Sequence, residues 1–243
     1  MSRIDRKLLI ELAEKYETAD FIKGDPSWFM HQVEGDGNKE AIAFIASCFS
    51  YGSRKQFMPK VQLLLDDSKG NVCQWLMAAD YKAVVPENDA CFYRLYTNRM
   101  VLDLLERLAE CYRESGSLKN LLIEKNVSTA LDALEVLTKT FGGKIVPKNT
   151  ASSCKRLCMF LRWMVRTDSP VDLGLWADIV DKKTLIMPLD THVMQQANRL
   201  QLIETKATSM STALKLSKEV AKFFPDDPLK ADYALFGYGV NAK

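Results

Sequence analysis

The sequence predicts an all-α protein. Apolar residues recur at helical spacing almost throughout, as in Leu8, Leu9, Leu12 and Tyr16 or Leu102, Leu105, Leu108 and Ala109, which gathers them on one face of a 3.6-residue helix. Sustained period-two alternation is rare, and breakers separate the periodic segments at intervals that suit helices of two to seven turns.

The elements follow in order. Helices are expected at roughly 4–19, 38–51, 54–66, 71–79, 89–114, 117–124, 128–141, 151–166, 190–201 and 210–224, with a last one near 228–238. Gly52 can end the second in a left-handed C′ conformation, and Gly142-Gly143 can end the seventh. Ser128 is a candidate N-cap, as are Ser152 and Ser153, and Pro228 behind Asp227 suits a first-turn proline. The longest irregular piece, 167–189, has room for a short helix around Leu173–Asp181. Connections of that length are often functional.

With 243 residues, of which 47% are hydrophobic and 26% charged, the chain is long enough for a substantial core in one or two domains, and disordered or collagen-like classes are excluded. Thirty-three Lys and Arg face 31 Asp and Glu, a net charge of +2. Bulk charge therefore does not mark a nucleic-acid binder, and only local charge is informative. No apolar run approaches the roughly 20 residues of a membrane helix, so a cytoplasmic protein is expected. The six cysteines form no CxxC pair and are read as reduced thiols. With only His31 and His192 besides, no zinc or iron-sulfur ligand set is apparent. No metal or cofactor is expected.

Charge is one-signed in two places. Between Glu135 and Asp168 lie Lys139, Lys144, Lys148, Lys155, Arg156, Arg162 and Arg166 without a single carboxylate, and between Glu40 and Asp66 lie Arg54, Lys55 and Lys60. Either stretch can be a solvated helix face, or a footprint through which a near-neutral protein meets phosphates.

Two residues in these surroundings can do chemistry. Lys155 opens a helix whose Leu157, Phe160, Leu161 and Met164 form the apolar face. A helix N-terminus and the adjacent Arg156 both disfavour an ammonium, and a neutral amine is a nucleophile. Asp190 stands between the apolar Pro188-Leu189 and the helix start Thr191-His192-Val193. It suits an N-cap, and a carboxylate held by backbone amides stays ionised to assist proton movement or stabilise a developing sugar cation. The cap and the chemical role are compatible.

The lysine-bearing SSCKRLCMFLRWMVR, followed by LDTHV 35 residues from Lys155 to Asp190, resembles the helix-hairpin-helix base-excision DNA glycosylases, in particular the archaeal-type 8-oxoguanine DNA glycosylase/lyases. EAIAFIASCFSYGSRKQFMPKVQLLL resembles the helix pair that opens that superfamily's barrel domain, and CFYRLYTNRMVLDLL its arginine-aromatic-asparagine helix. LDTHV and LFGYGV are most similar to the bacterial DUF2400 family. The resemblance covers about residues 38–240. It departs from the pattern at the hairpin, where IVPKNTASSCKR stands in place of a glycine-rich turn, and no glycine occurs between Gly143 and Gly174. The hairpin is degenerate.

The resemblance implies a two-lobed glycosylase-like fold, with a central helical barrel lobe at 38–150, a second lobe from 1–37 plus 151–243, and the active-site cleft between them. It implies excision of 8-oxoguanine by base flipping, attack of Lys155 on the sugar, assistance by Asp190, and strand nicking through a Schiff base. Asp232 and Phe236, four apart on one helix face, would contact the flipped base with Met159; the alternative, commoner by count, is that Phe236 is core and Asp232 a surface residue. Arg54, Lys55, Lys148, Arg156 and His192 would contact DNA. The partner would be double-stranded DNA bearing a damaged base, met by a monomer. A non-catalytic helical DNA-binding relative is the alternative.

Overall fold

The computed structural model describes residues 6–241 and is mostly helical. In chain order the α-helices are α1 Arg6–Tyr16, α2 Asp36–Phe49, α3 Arg54–Ser68, α4 Val72–Ala78, α5 Asn98–Ser115, α6 Leu118–Glu124, α7 Ala130–Phe141, α8 Lys155–Val165, α9 Thr191–Arg199, α10 Met210–Ala221 and α11 Lys230–Asn241. Short 3₁₀ turns lie at Ala19–Ile22, Pro26–His31, Asp80–Ala83 and Lys182–Thr184. No described helix is long and apolar enough to cross a membrane.

Three local expectations are corrected. The helix expected from 89 begins only at Asn98, because β1 (Cys91–Tyr93) and β2 (Tyr96–Thr97) pair as an antiparallel hairpin around Arg94 and Leu95. Arg94 takes φ +51° there, and Thr97 caps α5 by accepting from the Met100 amide at 3.4 Å. The cap of α7 is Thr129, not Ser128: its hydroxyl accepts from the Asp132 amide and its own amide donates to the Asp132 carboxylate, each at 3.2 Å, a reciprocal arrangement that satisfies otherwise orphaned donors. No helix forms at 173–181. Instead the amides of Leu173 and Trp176 donate to the carbonyls of Trp163 and Met164, each at 2.7 Å, so this segment satisfies the open C-terminal end of α8.

The described residues divide into two compact units, one comprising those up to Lys23 with Ser128–Leu134 and Thr150 onward, the other Gly24–Val127 with Glu135–Asn149. Residues 24–37 and 128–134 fall on the other side of this division from where the sequence expectation put them. Residues 24–37 go with the central unit because the buried carboxylate of Asp25 pairs with Arg54 at 3.0 Å while Phe29 and Met30 are buried. Residues 128–134 go with the other, where the Asp181 amide donates to the Ser128 carbonyl at 3.2 Å and the Ala130 amide to the Thr184 hydroxyl at 2.9 Å.

In the Gly24–Val127 unit, α2 is buried on every side from Glu40 to Phe49, as expected of a helix that is apolar all round. Its one buried charge, Glu40, accepts from Tyr112 Oη at 2.7 Å and from the Leu118 and Lys119 amides at 2.7 and 3.1 Å. The carboxylate thereby caps α6 and favours its positive end.

In the other unit α11 packs against α1 and α9. Glycines let it do so: a Cβ on Gly237 would lie 2.4 Å from Tyr16 Cγ, and one on Gly239 would lie 2.8 Å from His192 Cβ. The LFGYGV segment is therefore a close-packing device.

Candidate active site

Lys155 owes its position to the turn before it. Cys154, the residue preceding α8, is held at φ +46° and makes no side-chain cap; neither Ser152 nor Ser153 fills that role, and Ser152 instead pairs with Ser209 in an antiparallel bridge. A non-glycine residue in the left-handed region persists only where its surroundings hold it. Beyond it Leu157, Phe160, Leu161 and Met164 are buried as the spacing requires, while the Lys155 side chain keeps 36% exposure.

Asp190 caps α9. One carboxylate oxygen, Oδ1, accepts from the Val193 amide at 2.7 Å, and the other, Oδ2, lies 3.8 Å from Lys155 Nζ. The two oxygens thus have separate tasks. Lys155 and Asp190 both line a cavity of about 730 Å³, together with Thr191, Met194, Gln195 and Asn198. Every residue lining it belongs to the one unit that carries α8 and α9.

The neighbouring thiols are poor competitors for a nucleophile's role. Burial pushes the Cys154 thiol up and the Cys158 thiol far up, and the thiolate is the reactive form.

Behind the pair lies a buried ionic cluster that the sequence did not predict. Arg162 and Arg166, counted among the cationic span, are interior, with side chains 4% and 1% exposed. Arg162 binds Asp172 at 3.3 Å and Asp232; Arg166 binds Asp172, Asp227 at 2.7 Å and Glu17 at 2.8 Å. Tyr233 donates its hydroxyl to Asp172 at 2.9 Å, and the Arg162 guanidinium lies 4.5 Å from its ring centre. Two cations here serve four carboxylates. Burial first, opposed by Arg162 and reinforced by Asp190 and Asp172, pushes the Asp232 carboxyl up to about 6. The signal for an interior role was the run Arg162-Trp163-Met164-Val165-Arg166, in which both cations flank apolar residues one turn apart.

The other expected site residues are placed apart from the cavity lining. Asp232 is 4% exposed and committed to Arg162, so it is not positioned to read a base. Phe236 is half-buried, edge-on to His192 and Phe21, each at 6.0 Å. Met159 is half-buried one turn beyond Lys155 and outside the lining. His192 is half-buried against α11, and its Nδ1 has no hydrogen-bond partner among the described residues. Arg156 is half-buried, and Lys55 and Lys148 are exposed. Arg54 donates to Asp25 at 3.0 Å and to the Gly24 carbonyl at 3.2 Å, which ties this cation down locally.

No curated protein and no solved structure matches the chain. A family model described as "Protein of unknown function (DUF2400)" matches residues 25–241. Spanning most of the sequence from Asp25 through the Lys155 and Asp190 helices to the end of α11, that match makes the chain a member of the DUF2400 family.

Proposed function

We propose that this protein is a base-excision DNA glycosylase with abasic-site lyase activity, that 8-oxoguanine in duplex DNA is its substrate, and that its fold is a helix-hairpin-helix glycosylase-like one with a degenerate hairpin. The observation that carries the reading is the amine and carboxylate at 3.8 Å in one cavity, the carboxylate anchored by its other oxygen to the start of α9. The resemblance around Lys155 and LDTHV points to the same chemistry.

A base stacked in a duplex hides its sugar C1′, so the nucleotide must be extruded first. Lys155 Nζ, as the free amine, then forms a bond to C1′ while the bond from C1′ to the base breaks and the base leaves with the bonding pair. Asp190 Oδ2 is within reach of the proton released from Nζ and of the positive charge that develops on the sugar. Ring opening gives an imine between Nζ and C1′. Loss of a C2′ proton then breaks the C3′–O3′ bond, and water hydrolyses the imine to return the lysine.

The test is reductive trapping. Incubated with an 8-oxoguanine duplex or an abasic duplex and borohydride, the protein should form a covalent adduct, and Lys155→Gln should form none while still binding DNA. Binding without an adduct on either substrate would favour the non-catalytic DNA-binding alternative, and trapping of Lys155→Gln at the parental rate would remove Lys155 from the mechanism.

A further inference from the structure

The cavity of Lys155 and Asp190 contains a second cation that the sequence pattern did not single out. Lys206 and Thr208 line it from the connection between α9 and α10. This connection is fixed on both sides of Lys206. On one side Asn198 clasps the Thr205 backbone, its Nδ2 donating to the Thr205 carbonyl at 2.9 Å and its Oδ1 accepting from the Thr205 amide at 3.1 Å. On the other side Ser209 pairs with Ser152, three residues before Lys155, and caps α10 by accepting from the Thr212 amide at 3.3 Å. Between these anchors the Ala207 amide donates to Thr205 Oγ1 at 3.2 Å.

A loop tied at both ends presents its side chains at defined places with less entropy to lose on binding. Lys206 is exposed and makes no ion pair among the described residues. Asp190, the only carboxylate among the described residues of the cavity wall, is already shared between the Val193 amide and Lys155. The wall therefore carries one unbalanced positive charge, with the hydroxyls of Ser153, Thr191 and Thr208 beside it as donors. Such a set fits an oxyanion better than a neutral base. A nucleic-acid strand carries one phosphate per roughly 3.4 Å of axis, so a sugar brought to Lys155 brings a phosphate into the same cavity.

We infer that Lys206, with the Thr208 hydroxyl, is a phosphodiester-binding group that holds the strand phosphate next to the sugar attacked by Lys155. This rests on the reading of the site as a Schiff-base DNA site and names how that site grips its strand in the absence of a glycine-rich hairpin.

The experiment uses the full chain and a duplex containing a tetrahydrofuran abasic analogue, which has no aldehyde, with binding read by fluorescence anisotropy over a salt series. Lys206→Gln should weaken binding several-fold and reduce the slope of log affinity against log salt by about one, the effect of a single phosphate contact. Lys206→Arg should restore both. On a true abasic duplex with borohydride, Lys206→Gln should raise the half-saturating DNA concentration more than it lowers the trapping rate at saturation. Lys222→Gln, which removes an exposed cation paired with Glu219, should keep the parental slope. The inference is overturned by an unchanged slope for Lys206→Gln, by an equal loss for Lys222→Gln, by failure of Lys206→Arg to rescue, or by trapping abolished at saturating DNA. Wild-type protein that traps while Lys206→Gln matches it in every measurement sinks this inference alone, whereas wild-type protein that never traps sinks the underlying reading as well.

Discussion

Asp232→Asn should change how stability depends on pH more than it changes stability itself. In the native protein this carboxyl is buried and pushed up to about 6 from its ordinary 3.8, by burial first, with Arg162 pulling down and Asp190 and Asp172 pushing up. The native state therefore binds more protons at this group than the unfolded chain does between those two values. Stability from Asp232 is fully present below the unfolded value and is lost as pH rises through the native one. A displacement of about two pH units corresponds to roughly 3 kcal/mol. Of this, about 2 kcal/mol should be lost between about pH 4.5 and about pH 7.5, since part of the change lies below that window.

The variant cannot lose it, because Asn does not titrate, and Arg162 keeps Asp172 at 3.3 Å as its partner. Urea denaturation of both proteins at the two pH values isolates the effect in a double difference, since every other group is common to both. Asp232→Asn should gain about 2 kcal/mol relative to wild type as pH rises between them. A difference that stays constant within about 0.5 kcal/mol would mean that Asp232 remains ionised beside Arg162 over the whole range, and the argument from two cations serving four carboxylates would fail.

Arg166→Met should be much more damaging, costing about 3–5 kcal/mol in the same assay, because it leaves the buried Asp172 and the half-buried Asp227 and Glu17 without the guanidinium they share. Gly239→Ala should cost about 1–3 kcal/mol by thermal or urea denaturation, since its new Cβ would sit 2.8 Å from His192 Cβ and 3.3 Å from the His192 carbonyl, forcing α9 and α11 apart. Asp190→Ala should lose about 1 kcal/mol with the cap to the Val193 amide. Asp190→Asn should keep most of that stability, yet both variants should trap abasic DNA at least about tenfold more slowly if the carboxylate charge assists the reaction.

What could be read from the sequence was what local spacing encodes. Apolar periodicity located the helices, and the apolar-Asp-Thr pattern located Asp190 as the cap of α9, because both signals are written within a few residues. Local spacing gave the interior role of Arg162 and Arg166 one signal, the apolar residues between them, and did not decide it. Their partners come from Glu17, Asp172, Asp227 and Asp232, up to 149 residues distant, and a cation's burial depends on whether such partners arrive. The β-hairpin was hidden because Phe92, Tyr93 and Tyr96 fit a helical face as well as a buried strand, and only the two-residue turn at Arg94-Leu95 separates the choices. Lys206 was invisible for a third reason. In sequence it is one lysine in a polar connection, and its place on the cavity wall depends on Asn198 and Ser152 holding that connection.

The two ionic arrangements on α8 then divide the work between them. The Lys155 and Asp190 pair is partly exposed and separated by 3.8 Å, a geometry that contributes at most about 1 kcal/mol to stability. It can be broken at little cost, as the proposed attack of the amine on a sugar requires. The cluster around Arg162 and Arg166 is dry, densely bonded and costly to open, and it joins the later turns of α8 to Asp232 on α11 and to Asp172 and Asp227 in the connections. Since α11 packs on α9 through Gly239, the helix that begins at Lys155 and the helix that Asp190 caps are both held by the same third helix. The weak pair therefore owes its geometry to rigid interior contacts, which is the arrangement that the proposed role of Lys155 as a nucleophile requires: fixed in place, but not committed to its partner.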